Sequence, residues 1–101
     1  MRSDRFWRYQ PDAPYATLLR VVEAHCHPEA HADAYDYLIE LARDPEPVAE
    51  MVSFKEQLRE AAKEPSRVPE GALFRAACYD DGSDERFLRR LWRDLYGDEV
   101  P

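Results

Sequence analysis

His25-Cys26-His27-Pro28-Glu29-Ala30-His31 holds every histidine of the chain and one of its two cysteines. Imidazole and thiolate are zinc ligands, and His27 and His31, four apart, share a face if a helix starts near Pro28. Cys78 is the only other thiol. Cys26, His27, His31 and Cys78 are therefore the candidate metal ligands. Against a zinc site stand the absence of any Cys-x-x-Cys pair and the long separation of Cys78 from the cluster. The more ordinary reading is a polar corner between two helices, with His31 half-buried on the apolar side of the second. The expectation is thus no stoichiometric zinc and no cofactor.

Cys26 with His25 or His31 has the residue types of a thiol nucleophile and its base. No third group that would orient the base can be named, so no catalytic residue is assigned and the chain is not expected to be an enzyme. Asp80-Asp81-Gly82-Ser83-Asp84-Glu85 resembles a calcium loop only in composition. With Gly82 at the sixth position the twelfth is Leu88, where a glutamate is required. The stretch reads better as a turn and cap ahead of a helix. No Walker loop, dinucleotide fingerprint or nucleophile elbow occurs.

Charge supplies the stronger signal. The chain carries a formal net charge of −7 with a pI of about 4.9. From Glu23 to Glu50 there are eight acids and one base, Arg43; eight minus one equals that net charge. Glu29, Asp33, Asp36, Glu40 and Asp44 follow one another at spacings of 4, 3, 4 and 4, which on one helix is a single acidic face. Tyr37, Leu38, Leu41 and Ala42 are placed opposite. Like charges at this spacing cost a helix about 0.2–0.5 kcal/mol per pair. Such a stripe is either a solvated face or a docking face for a cationic protein. An acidic chain is a poor direct ligand for DNA or RNA. Arg86, Arg89, Arg90 and Arg93 form a face of opposite sign near the C-terminus. They can meet the acidic face within one chain or between two, or simply lie solvated.

The elements that position these groups are helices bounded by prolines, with no period-2 run to suggest a strand. The spacing predicts helices over about 14–25, 29–43, 47–63, 70–78 and 84–96. A second start at Ser53 is an option within the third. Ser83 is the cap and Gly97 the stop of the last, whose Phe87, Leu88, Leu91, Trp92 and Leu95 form a buried stripe. The expected fold is all-α, a single domain over 1–101 of four to five short helices. Residues 1–12, with Phe6, Trp7 and Tyr9 among Arg5 and Arg8, form a short extra helix or an aromatic arm, and the arm is a binding surface or, the slightly favoured reading, packs on the domain's own core.

Two cysteines are not a disulfide framework, no apolar signal core opens the chain, and no apolar run reaches the roughly 20 residues of a membrane span. A cytoplasmic setting is expected. The functional expectation is an acidic module that docks or neutralises a basic protein partner, as immunity proteins and antitoxins of bacterial toxin systems do. The alternatives are a zinc- or thiol-dependent module built on His25 to His31, and a homo-oligomeric assembly domain.

Overall fold

The computed structural model describes residues 5–101, and every described element is helical. A 3-10 turn, Phe6–Arg8, precedes α1 (Ala16–Cys26), α2 (Ala34–Arg43) and α3 (Ala49–Lys63). A second 3-10 turn, Pro65–Arg67, leads to α4 (Ala72–Ala77) and α5 (Asp84–Tyr96). Helix α1 is the centre of the fold. It packs on α2, α3 and α4 as well as on the first 3-10 turn. Its Leu18, Leu19, Val21 and Val22 are buried, and α5 closes the core by packing on α2 and α3.

The amphipathic pattern of α5 forms as the sequence predicts. Phe87, Leu88, Leu91, Trp92 and Leu95 are all buried. The Ser83 hydroxyl accepts the Arg86 N–H at 3.2 Å, and Gly97 ends the helix at φ +62°. The start of α1 uses a device that local sequence does not show. Tyr15 at its N-cap is in the left-handed region and gives no side-chain cap. The free Leu18 N–H instead donates to Gln57 Oε1 of α3 at 2.8 Å. A tertiary contact thus satisfies an orphan helix-end donor.

Two expectations about the helices need correction. The second helix begins at Ala34, not Glu29. His27 is extended, as the residue before a proline tends to be, and the Ala30 amide turns back to the His27 carbonyl. The His31 ring then accepts the Asp33 amide at 3.1 Å, so the segment between the helices is made of turns. Helix α3 starts at Ala49 and runs unbroken through Ser53. The N-terminal segment, over the described part from Arg5, is a short 3-10 turn that packs on the domain's own core, with Trp7 wholly buried. Residues 1–4 of that segment lie outside the described residues. Among the described residues no helix is long and apolar enough to cross a membrane.

Candidate functional site

The late start of α2 redistributes the predicted acidic face. Asp33 is the N-cap, Asp36 and Glu40 lie within the helix, and Asp44 is its extended C-cap. Glu29 sits in the preceding turn, so the stripe of five on one helix does not form. What forms is a shorter ridge. At about 100° per residue Asp33, Asp36 and Glu40 fall within about 60° of one another. Tyr37 lies about 40° from Asp33, on the same side. It is 54% exposed, which corrects its placement on the apolar face. Leu38 alone is fully buried; Tyr35, Ile39, Leu41 and Ala42 are half-buried.

Among the described residues the ridge receives little neutralisation. Arg43, the one base of the segment, turns away and donates Nη2 to the Asp94 carbonyl of α5 at 3.1 Å. Arg20 lies 3.6 Å from Glu50, and His31 lies 3.9 Å from Asp33. Among the described residues no ion pair holds Asp36, Glu40 or Asp44. Acids elsewhere are engaged. Glu23 takes Arg8 and Arg5, Glu99 takes Lys55 and Arg59, and Asp81 takes Arg90. The arginine face of α5 does not meet the ridge in an ion pair. Its contact with α2 runs from Arg90 Nη1 to the Tyr35 hydroxyl at 3.3 Å, and Tyr35 in turn donates to Asp94 at 2.7 Å. The Asp80–Glu85 stretch is the expected turn and cap. Tyr79 donates to Asp84, and the two oxygens of Asp81 accept from Arg90 at 2.6 and 3.0 Å.

The histidine–cysteine cluster is divided among different tasks. His25 donates Nδ1–H to the Ala34 carbonyl at 2.9 Å and ties the end of α1 to the start of α2. His31 is exposed, not half-buried, its side chain 80% accessible. Cys26 turns inward beside Arg90 and Tyr35, around a cavity of about 280 Å³ that His27 and His31 also line. Burial pushes its thiol up to about 12, against the opposing pull of the Arg90 charge. Cys78 is exposed and lies 3.5 Å from His27 Nε2. The four candidate ligands therefore do not converge: among the described residues no group of three or more His, Cys, Asp or Glu side chains is placed to hold an ion.

The two thiols should differ sharply in reactivity. At pH 8 a thiol with its pKa near 12 is ionised about once in ten thousand molecules. A disulfide reagent at pH 8 should therefore titrate one thiol, Cys78, in the native protein and both in denaturant. Two fast thiols in the native protein would place Cys26 at the surface.

Comparison with protein-family models, with curated proteins and with solved structures finds no match.

Proposed function

We propose that this chain is a protein-binding module that presents α2 to a cationic protein partner, in the manner of an immunity protein or antitoxin. The observation that carries the reading is the ridge itself. Among the described residues no ion pair holds Asp36, Glu40 or Asp44, and Tyr37 on the same side of α2 is 54% exposed. Unneutralised carboxylates raise the encounter rate with a basic surface and fix its register. A tyrosine among them is the residue type that supplies affinity, since it buries a large ring at little entropic cost and keeps a hydroxyl for a hydrogen bond. Val48 and Val52, beyond the C-terminal end of α2, are 60% and 53% exposed.

The test starts with capture from the native host, using the wild-type chain and an Asp36→Asn/Glu40→Gln chain side by side. The expected outcome is a basic protein held by the first and depleted on the second. Its association rate should fall as salt rises past about 0.15 M, where the screening length is about 8 Å. Tyr37→Ala should instead speed dissociation, at a cost of about 1–2 kcal/mol. The double variant should melt at or slightly above the wild-type temperature, because like-charge repulsion along α2 is relieved. Equal capture by both chains would leave the ridge as a solvated face.

A further inference from the structure

We propose that His27 and Cys78 form one half of a zinc site that two copies of this chain complete. The pair is assembled by the fold, across 51 positions of sequence. The loop after α1 brings His27, and the C-terminal end of α4 brings Cys78. Zinc binds thiolate sulfur at about 2.3 Å and imidazole nitrogen at about 2.0–2.1 Å, so two such ligands on one tetrahedral edge stand about 3.5–3.6 Å apart. Cys78 Sγ and His27 Nε2 are 3.5 Å apart. Their separation is that of an edge, with the remaining two corners open.

The surroundings favour a cation. Cys78 caps the end of α4, where helix carbonyls point outward and a positive charge is favoured. Glu29 and Asp80, each two residues beyond a ligand, are exposed and add negative charge. Among the described residues nothing fills the open corners. Cys26 is turned inward, His25 Nδ1 is held by the Ala34 carbonyl, and among the described residues no third donor converges. A second copy supplies the missing pair by symmetry. A two-fold axis through the metal gives two sulfurs and two nitrogens, the composition of a closed structural zinc site. Phe74, one turn before Cys78 on α4, is 52% exposed and gives the two copies an apolar contact beside the metal.

Protons balance as follows. In the metal-free chain the Glu29 amide donates to His27 Nδ1 at 3.1 Å, so the neutral ring keeps its proton on Nε2, facing the sulfur. On binding, that proton moves to Nδ1, the Cys78 thiol loses its own to solvent, and zinc bonds to both atoms. Each chain releases one proton, and the Glu29 amide gives up its ring acceptor.

The experiment is a titration of the full chain with zinc chloride, read by calorimetry and by light scattering on a sizing column. Saturation is expected at half an equivalent of zinc per chain, with the mass doubling from 11.8 kDa and returning on chelation. Cobalt(II) in place of zinc should give the visible absorption of a tetrahedral site with thiolate charge transfer. Cys78→Ser and His27→Ala should each abolish the doubling, with circular dichroism confirming that these surface variants fold. Cys26→Ser should leave it unchanged. A monomer at saturating zinc, one zinc per monomer, or a zinc-dependent dimer that survives Cys78→Ser would each overturn the proposal.

Discussion

Trp7→Ala should lower the unfolding free energy by about 3–5 kcal/mol, the range for truncating a large buried aromatic. Trp7 has no exposed surface although it lies close to the chain end. It contacts Phe6 edge-to-face and donates its indole N–H to Glu23 Oε1 of α1 at 3.2 Å. That same carboxylate receives Arg8 Nε and Nη2 at 2.9 and 2.7 Å and lies 3.3 Å from Arg5. The first 3-10 turn is thus fastened to α1 by an apolar ring and a shared carboxylate. Alanine removes the ring and one donor together. At roughly 4–8 °C per kcal/mol for a domain of this size, the melting temperature should fall by about 12–40 °C. Urea unfolding read by circular dichroism measures the loss directly. Trp7→Phe, which keeps most of the apolar volume, should cost clearly less. A loss under about 1 kcal/mol for the alanine variant would make the N-terminal turn a detachable appendage.

That turn marks where sequence reasoning stopped. Phe6, Trp7 and Tyr9 among arginines suit a binding arm and, only slightly better, a segment packed on the core, because both need an aromatic ring with a cationic rim. The deciding contact is Glu23, at 15 and 16 positions' distance. Helix α5 was legible almost to the residue, since its stripe, Ser83 cap and Gly97 stop are all local. The same method placed the start of α2 five residues early. Pro28 reads as a helix opener in the sequence, but the rings of His27 and His31 compete for that stretch of backbone by accepting the amides of Glu29 and Asp33. The error passed into the candidate site. Glu29 left the stripe, and Tyr37 moved from the apolar side to the exposed one. The sequence offers Cys26, His27, His31 and Cys78 as metal-capable residues. Only the packing of α4 against α1 reveals that Cys78 faces His27 while Cys26 turns inward.

Arg90 is the second residue whose role depends on packing, and Arg90→Ala should cost about 2–4 kcal/mol at pH 7. On the helical pattern it belongs with Arg86, Arg89 and Arg93, a solvated face. In the fold its guanidinium makes a two-pronged bond to Asp81, reaches the Tyr35 hydroxyl and lies 5.4 Å from the centre of the Phe87 ring. Asp81 retains only 12% of its side-chain exposure, so deleting the guanidinium leaves a poorly hydrated carboxylate without a cation. Arg89 is the control. Its side chain is 73% exposed and pairs only with Glu85 one turn away, so Arg89→Ala should cost under about 0.5 kcal/mol.

Acid separates the two further. The hydrogen bonds from Arg90, assisted by its charge, hold the Asp81 carboxyl below its ordinary range. A carboxyl depressed by folding contributes stability above its unfolded value, and that contribution is lost as pH falls through the folded value. Wild type should therefore lose part of its stability below about pH 4, with Glu23, held down mainly by Arg8, contributing in the same direction. In Arg90→Ala the Asp81 share is already gone, so the gap between variant and wild type should narrow from pH 7 to pH 3. The gap for Arg89→Ala should stay small at both. Urea midpoints at the two pH values decide it. If Arg90→Ala tracks Arg89→Ala throughout, the Asp81 pair carries no stability and Arg90 is one more solvated arginine.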